Sequence, residues 1–425
     1  MPELPYVQLM NEETFFDDAD IQPGVARRRV LMIAQNLADS HHRRLWRQAG
    51  ELVADGYRVS VICPGEEGEH RRDILNGVSV YRYPAPFAGL GLLAHVWILF
   101  WEFILAWRVL LRQGFDVIHA CNPPDGIFLI GGFFKFMFDK KFIFDHHVAM
   151  PELHETFAKG RGAGYYWRRF IERMAFGMAD VAIAPNESYR RIAVTRGGMD
   201  ADKVFVVRPA PAAERLKIVP PNAAWRRGKK YLVGCAVTLG VYEGTPYLIE
   251  AARHIVHDLK RTDIHFALAS SRDVPETFKA IAREKRVDEH ITFMAHASES
   301  DIVEMLNTAD ICVSPDEVNP HNDKATLVRI VEYMALAKPI VQFELAEGNF
   351  SAAGASLYAR ANDAQDFGDK IMVLIDDPHK CAAMGAIGRA RFERALAWSH
   401  EALRLLAAYE VVFAKKYAQM AWQAN

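Results

Sequence analysis

Alternating strand and helix patterns restrict the fold of this chain more than any other feature. From Arg29 onward, short apolar segments such as RVLMIAQNL, RVSVICP and FDVIHAC alternate with segments whose apolar residues recur at helical spacing. Strands separated by helices in this way are typical of parallel sheets that carry helices on both faces. The sequence therefore predicts an α/β, doubly wound fold.

A polar, proline-containing segment interrupts this alternation near the middle of the chain. AAERLKIVPPNAAWRRGKK shows no periodicity, and YLVGCAV then begins a second series of six predicted strands. Since a single core rarely exceeds about 250 to 300 residues, a chain of 425 residues is expected to form two domains. We predict a loosely ordered extension at 1–27, a first domain at 28–212, a linker at 213–228, a second domain at 229–400, and a helix at 401–425 that can return to the first domain.

Two such domains are expected to bind a ligand between them. Doubly wound sheets bind ligands at the carboxyl ends of their strands, so two facing edges form one cleft. The first strand is not followed by GxGxxG, and GxxxxGK[ST] does not occur, so the usual dinucleotide and P-loop fingerprints are missing.

Composition argues against several other classes of protein. The formal net charge is −2 and no long basic run is present, so nucleic-acid binding is not expected. The five cysteines are scattered and indicate reduced thiols; a zinc site at the His41–His42 and His146–His147 pairs is the less favoured alternative to no metal. The N-terminus has no apolar signal-peptide core, so we predict a cytoplasmic protein.

The segment NPHNDKATLVRIVEYMA carries the clearest ligand-binding pattern. A helix beginning near Thr326 would present free backbone N–H groups and its positive dipole end to an anion, with Lys324 beside them. Arg329 and Glu332 are three residues apart and share a face of that helix, so Glu332 can accept hydrogen bonds from a ribose. The alternative interpretation is a capped helix with a solvated Arg–Glu pair.

The strand KKFIFDHH ends in a second candidate site. Because side chains alternate along a strand, one of His146 and His147 should face the cleft while the other turns away. The alternative is that one histidine only caps local backbone groups.

Residues 89–112 form a long apolar segment that is long enough to span a bilayer. Its Glu102 argues against spanning, since a central carboxylate costs about 2.5 to 3.5 kcal/mol to insert. Three tryptophans, with Arg108 and Arg112 at the end, favour a helix at the membrane surface, and packing inside the first domain is an equal alternative. We predict peripheral contact with the inner face of the cytoplasmic membrane.

Both candidate sites resemble motifs of retaining glycosyltransferases of family four, especially bacterial polysaccharide-biosynthesis members. NPHNDKAT and VRIVEYMA are similar to the family's NPxNDKST and KVMEYMA, and VIHACNPPD and FDHH resemble further family blocks. The resemblance extends from Arg29 to about Trp398.

The resemblance implies a GT-B fold, in which two Rossmann-like domains face each other across a cleft. It implies a hexosyl- or related transferase of cell-surface polysaccharide synthesis, with a UDP- or GDP-linked donor, a saccharide or polyprenyl-linked acceptor, and no cofactor. By the family pattern the catalytic residues are Asp145, His146 and His147; the donor-binding residues are Asn322, Asp323, Lys324, Thr326, Arg329 and Glu332; and the acceptor or cleft residues are His42, Arg43, His119, Asn122 and Asp125.

Several positions differ from the family pattern, among them three in the first domain. His42 and Gln48 stand where aspartate and glutamate are usual, and Val148 stands where an aspartate commonly follows the paired histidines. These differences leave a second hypothesis open: a degenerate GT-B protein that binds nucleotide or a partner transferase without catalysing transfer.

Overall fold

The computed structural model describes residues 28–35, 40–65, 71–85, 92–211, 213–237 and 243–423, with the backbone alone at 40–43, 92 and 415–423. The predicted extension at 1–27 lies outside these ranges.

The first sheet contains eight strands within the described residues, in the order β3-β4-β2-β1-β5-β6-β7-β8. Six of them were predicted, and β3 and β8 were missed. β3 pairs with β4 in the antiparallel sense, through a turn at Asn76 and Gly77, both of which have positive φ. This Asn-Gly pair was the available signal for a hairpin. The strands are β1 (Arg29–Ile33), β2 (Arg58–Gly65), β3 (Arg72–Leu75), β4 (Val78–Pro84), β5 (Val117–Cys121), β6 (Lys141–Asp145), β7 (Val181–Ala184) and β8 (Val204–Val206).

Helices cover both faces of this sheet. One face carries α2, α3, α5 and α6, whose apolar residues, among them Phe134 and Phe176, form a core against the sheet. The other face carries α1 together with the last helix of the chain. These elements are α1 (Ser40–Ala54), α2 (Leu92–Arg112), α3 (Phe128–Phe138), α4 (Met150–Ala158), α5 (Ala163–Met178) and α6 (Glu187–Thr195).

The second sheet has six described strands, all pairing in parallel, in the order β11-β10-β9-β12-β13-β14. They correspond to the six segments predicted from sequence. The strands are β9 (Tyr231–Ala236), β10 (Ile264–Ala269), β11 (Ile291–Met294), β12 (Ile311–Ser314), β13 (Ile340–Phe343) and β14 (Ser356–Ala359). The predicted α/β class with two doubly wound domains is therefore confirmed. The α-helices of the second domain are α7 (Thr245–Arg253), α8 (Glu276–Glu284), α9 (Glu299–Thr308), α10 (Val328–Ala335), α11 (Ala346–Ala352), α12 (Ala364–Ile375) and α13 (Pro378–Arg391).

The last helix, α14 (Trp398–Gln423), packs against the first domain. Leu405 and Tyr409 are fully buried in the core beneath the first sheet. The carboxylate of Glu401 accepts a hydrogen bond of 2.8 Å from the backbone N–H of Arg208, just beyond β8. The chain thus crosses from the second domain back to the first.

Helix α2 is only partly buried although it is strongly apolar. Its most apolar stretch has a mean hydropathy of 1.5, and 22% of that stretch is buried. Glu102 points inward, where its carboxyl group accepts hydrogen bonds from Gln35 (3.1 Å) and Tyr83 (3.4 Å), and burial raises its pKa to about 8. Both ends of α2 lead into strands of one sheet, so spanning a bilayer would separate strands that belong together.

Candidate active site

The carboxyl ends of β5 and β6 bring several predicted site residues together. Cys121 at the end of β5 lies opposite Asp145 at the end of β6 in the parallel register. The residues that follow these strands therefore emerge at one edge of the sheet, as expected for a ligand site in a doubly wound domain.

Asp145 is the centre of a buried polar network at this edge. Its Oδ1 accepts a hydrogen bond from Arg44 (2.9 Å), and its Oδ2 accepts one from Gln48 (3.1 Å). The same Oδ2 lies 3.2 Å from His119 Nε2 and 2.8 Å from His147 Nε2. Burial opposes ionisation, but Arg44 and the two imidazoles hold the pKa of Asp145 well below its usual range. Asp145 is thus a buried carboxylate that orients the side chains around it.

Gln48 has a structural reason to differ from the family's glutamate. Its amide Nε2 donates to Asp145, whereas a glutamate would place a second carboxyl group against the same oxygen. The amide therefore suits the Asp145 carboxylate of this chain.

The paired histidines have different environments. His147 lies against Asp145, and its side chain is 5% exposed. The His146 ring instead enters the core, with ring centroids 5.7 Å from Phe144 and 4.9 Å from Tyr189. Its Nε2 lies 3.3 Å from the buried Glu172 carboxylate. This placement argues against direct contact between His146 and a substrate, because strand alternation turns its side chain away from Asp145.

Asn122 fixes the backbone that follows the histidines. Its Oδ1 accepts hydrogen bonds from the backbone N–H groups of His147 (2.6 Å) and Val148 (3.1 Å). Its Nδ2 donates to Val148 O (2.7 Å) and to Asp125 Oδ1 (2.6 Å). Burial raises the pKa of Asp125 to about 6, although the Asn122 hydrogen bond lowers it. Since Val148 takes part through its backbone, its side chain is not needed for this arrangement.

His119 connects Asp145 with the last helix. Its Nδ1 lies 2.7 Å from the hydroxyl of Tyr409 in α14. A carboxylate only accepts hydrogen bonds, so His119 Nε2 carries a proton, and in the neutral imidazole Nδ1 then accepts from Tyr409. Burial raises the pKa of Tyr409 well above its usual value, which keeps the hydroxyl protonated. Sequence reasoning missed Tyr409 and Arg44, because nothing local shows that they approach Asp145.

A metal ion fits this edge poorly. Among the described residues, His119, Cys121 and Asp145 form a group whose potential ligand atoms lie within 4.8 Å of one another. Arg44 already neutralises Asp145, and burial raises the pKa of the Cys121 thiol well above its usual value. A cation would therefore compete with a guanidinium and meet a protonated thiol. The side chains of His42 and Arg43, also predicted here, lie outside the described residues.

The predicted donor-binding segment lies between β12 and α10, at the carboxyl end of the second sheet. Asn319 Oδ1 accepts a hydrogen bond from the backbone N–H of Asn322 (2.9 Å), and Asn322 Nδ2 donates to Glu317 O (2.8 Å). Lys324 Nζ donates to Pro320 O (3.2 Å). The segment is thus a compact turn that its own side chains hold.

Asp323 contributes to the next element of the chain. Its Oδ1 accepts a hydrogen bond of 2.9 Å from the backbone N–H of Ala346 at the start of α11. This contact places a carboxylate near the positive end of that helix, which is a favourable arrangement.

Asn186 joins the donor-binding segment to the first domain. Its Nδ2 donates to Lys324 O (2.7 Å) and to Thr326 Oγ1 (2.8 Å), while Thr326 Oγ1 donates to Pro185 O (3.3 Å). Asn186 Oδ1 also caps α6, because it accepts a hydrogen bond from the backbone N–H of Tyr189 (2.9 Å). Sequence reasoning missed this contact, because an asparagine before a helix indicates only a cap. Thr326 lies two residues before Val328, where α10 begins, close to the predicted start.

Arg329 forms ion pairs inside the second domain. Its Nη2 lies 3.3 Å from Glu243 Oε1 and 3.5 Å from Asp316 Oδ1, and its side chain is 12% exposed. Burial lowers the pKa of Arg329, but Asp316 and Glu243 outweigh this effect and raise it. Glu332, on the same helix, is half-buried. Arg329 therefore helps to hold α10 against the end of β12, whatever it contributes to ligand binding.

Family comparisons cover both domains of the chain. Residues 42–212 match the model of Glycosyltransferase Family 4, and residues 230–377 match that of Glycosyl transferases group 1. The chain belongs to glycosyltransferase family 4. The family predicted from the sequence motifs is therefore confirmed, and so is the assignment as a glycosyltransferase.

Individual relatives of this family 4 glycosyltransferase are distant in sequence. Over 170 residues it is 24% identical to the GDP-mannose-dependent monoacylated alpha-(1-6)-phosphatidylinositol monomannoside mannosyltransferase of Corynebacterium glutamicum, a match that covers 39% of this chain and 44% of that relative. The chain thus matches less than half of that relative's length.

Two solved structures share the fold over nearly the whole chain. Sucrose-phosphate synthase from Thermosynechococcus elongatus has a TM-score of 0.78 at 15% identity, covering 92% of this chain and 100% of that one. Anabaena HepE in complex with UDP has a TM-score of 0.68 at 14% identity, covering 91% of this chain and 100% of that one. These similarities confirm the GT-B fold.

Proposed function

We propose that this glycosyltransferase moves a sugar from a UDP- or GDP-linked donor to a saccharide or polyprenyl-linked acceptor, with retention of anomeric configuration, in cell-surface polysaccharide synthesis. The contact between His147 and the buried Asp145 carboxylate carries the proposal. It provides an oriented imidazole at the edge where a doubly wound domain binds its ligand. Orientation of this kind supplies much of the rate in group transfer.

Retention is best explained by attack from the face that the diphosphate leaves. The bond between the anomeric carbon and the diphosphate oxygen breaks, the acceptor oxygen bonds to the same face, and the leaving oxygen takes the acceptor's proton. Asp145 is unsuited to act as a nucleophile, because it is fully buried and bound by Arg44 and Gln48. His147 would orient the donor sugar, and Asp145 would hold His147.

The donor would bind at the start of α10. The free N–H groups of this helix and the ammonium group of Lys324 can stabilise a departing diphosphate without a metal or cofactor. Asn322, Asp323 and Thr326 would line the diphosphate and the sugar, and Glu332 would accept hydrogen bonds from the ribose. Asn186 would keep this segment at the first domain, through its bonds to Lys324 O and Thr326.

The acceptor would approach beside α2. A Cβ atom added at Gly126 would lie 3.3 Å from Leu99 Cδ1, so α2 borders the loop that carries Asp125. The exposed apolar residues of α2 would suit a lipid-linked acceptor, and we propose peripheral contact of the enzyme with the inner face of the cytoplasmic membrane.

Calorimetric titration with UDP and GDP, followed by assays with the matching nucleotide sugars, tests the donor site. Binding of one nucleotide is expected, together with slow hydrolysis of its sugar. Glu332→Ala should weaken that binding by about 1 to 3 kcal/mol, the range for losing hydrogen bonds to buried groups. Glu393→Ala, which removes a half-exposed carboxylate from the second domain, is the control.

The outcomes separate the two hypotheses. Unchanged affinity in Glu332→Ala would remove Glu332 from the site. Nucleotide binding without hydrolysis or transfer would favour the degenerate GT-B protein. Proton NMR of a transfer product reports the configuration at the anomeric carbon, and an inverted linkage would contradict retention.

A further inference from the structure

We propose that α2, α3 and α5 together form a docking surface for an anionic lipid bilayer, here called the three-helix face. The inference rests on the proposed function in one respect, since it extends the membrane contact of α2 to two further helices.

The three helices form one continuous layer on the first sheet. The rings of Phe103 in α2 and Phe133 in α3 have centroids 5.0 Å apart, and those of Trp107 and Phe138 are 5.4 Å apart. Lys135 Nζ in α3 donates to the last carbonyl of α5, that of Met178, at 2.8 Å. A surface that contacts the outer side of one of these helices can therefore also contact its neighbours.

Large apolar side chains on all three helices point into solvent. Trp167 is 60% exposed and Phe170 is 53% exposed, and their rings stack with centroids 5.7 Å apart on α5. Clusters of exposed large apolar side chains often mark an interaction surface. Four residues of the other two helices are also more than half exposed: Val96 and Phe100 of α2, and Phe136 and Met137 of α3.

Charge on these helices is one-sided. Glu102 and Glu172 are the acidic residues in their sequences, and both are fully buried. Asp139 and Asp180 lie beyond the helix ends, and Asp180 pairs with Lys135 (3.1 Å). The exposed charges that remain on the helices are basic: Arg108, Arg112, Arg169 and Arg173. A chain with a net charge of −2 thus presents a cationic apolar surface here.

This combination favours a lipid surface over a second copy of the chain. A two-fold dimer through the three-helix face would bring the same arginines towards one another. Tryptophan and arginine beside exposed apolar residues are instead typical of helices that lie in the boundary between anionic headgroups and acyl chains. Because α2 connects neighbouring parts of one sheet, it would lie along such a boundary and not across it.

Vesicle flotation of the full chain tests the proposal. Vesicles of phosphatidylcholine alone are compared with vesicles that also contain phosphatidylglycerol. Arg169→Gln/Arg173→Gln should lower partitioning into the anionic vesicles by about 20-fold, since each basic residue near such a surface contributes about fivefold. High salt should abolish that difference. Trp167→Ser/Phe170→Ser should lower partitioning into both vesicle types.

The matched control is Val373→Ser/Ile387→Ser, which removes two exposed apolar side chains (45% and 48% exposed) from the second domain and should leave flotation unchanged. Equal binding to neutral and anionic vesicles would overturn the charge requirement. Loss of flotation only in a Val96→Ser/Phe100→Ser variant would confine the contact to α2. A different outcome is that the wild-type chain dimerises in light scattering and fails to float with either vesicle type. If Trp167→Ser/Phe170→Ser then abolished the dimer, the three-helix face would be assigned to a second copy of the chain. UDP and GDP titration of each variant shows separately whether the donor site has failed.

Discussion

The hydroxyl of Tyr409 lies 2.7 Å from Nδ1 of His119, between residues 290 positions apart in the chain. His119 Nε2 in turn lies 3.2 Å from Asp145 Oδ2, and Asp145 contacts His147. A path of close polar contacts therefore runs from α14 to the imidazole that we propose to orient the donor sugar. The last helix follows directly on the second domain, so it links that domain to the chemistry of the first.

Tyr409→Phe should lower kcat while leaving the donor KM and the nucleotide affinity close to wild type. The change leaves His119 Nδ1 buried without its donor, which should also cost about 1 to 3 kcal/mol of unfolding free energy. Steady-state kinetics and urea denaturation measure the two effects. Tyr57→Phe is the control, because its ring packs 5.6 Å from that of Tyr409 while its hydroxyl bonds to Arg28. A Tyr409→Phe enzyme with normal kcat would show that the contact only stabilises the fold.

His147→Ala and His146→Ala should have different effects. Loss of His147 removes the oriented imidazole, so we expect transfer to fall by about 100-fold with unchanged nucleotide affinity. Loss of the buried His146 ring leaves a cavity beside Phe144 and Tyr189, so we expect about 3 to 5 kcal/mol less unfolding free energy, as for other large buried rings. Kinetics at a temperature where both variants are folded separate the two. If His146→Ala lost transfer at full stability, the buried histidine would have a part in the reaction.

Glu102 should make the protein less stable as the pH rises. Burial raises its folded pKa to about 8, whereas an unfolded glutamate titrates near pH 4.3, so the folded state holds the extra proton between these values. Stability from this group is fully present below about pH 4.3 and declines by on the order of 1.4 kcal/mol per pH unit up to about pH 8. Glu102→Gln should remove this slope.

Urea denaturation at pH 5, 6, 7 and 8 checks the Glu102 prediction, with wild type and Glu102→Gln compared at each pH. The gap in unfolding free energy should widen in favour of Glu102→Gln as the pH rises. Glu276→Gln changes an exposed carboxylate and serves as the control. Parallel pH profiles for wild type and Glu102→Gln would mean that Glu102 is ionised in the folded state.

Asn186→Ala should weaken donor binding although Asn186 lies in the first domain. The change removes two hydrogen bonds to the donor-binding segment and one helix cap, so about 1 kcal/mol of stability is lost with the cap and the donor KM rises. Ser298→Ala removes the cap of α9 without touching that segment, and it should match the stability loss but keep the KM. Equal donor KM values in the two variants would show that the hydrogen bonds of Asn186 to Lys324 O and Thr326 Oγ1 do not position the donor-binding segment.

Parts of the site could be predicted from local sequence, and others could not. The Asp-His-His ending of β6 indicated that the two imidazoles would diverge, since strand alternation is a local property. The helix after NPHNDKAT was predicted two residues early, because Thr326 looks like a first-turn residue until Asn186 and Pro185 are seen to bind its hydroxyl. The partners of Asp145 lie on α1, on β5 and just after β6, and only His119 and His147 had been connected with it in advance.

The architecture follows from the amino-acid sequence, because buried strands need continuous apolar runs and helices need apolar residues at their own spacing. The sequence therefore showed two doubly wound domains, the six strands of the second sheet and the family motifs. Which polar groups meet became known from the folded chain: Tyr409 contacts His119, Arg44 contacts Asp145, and Asn186 contacts the donor-binding segment. Such contacts are fixed by how whole helices pack on a sheet, and residues far apart in the chain leave no local pattern that records them.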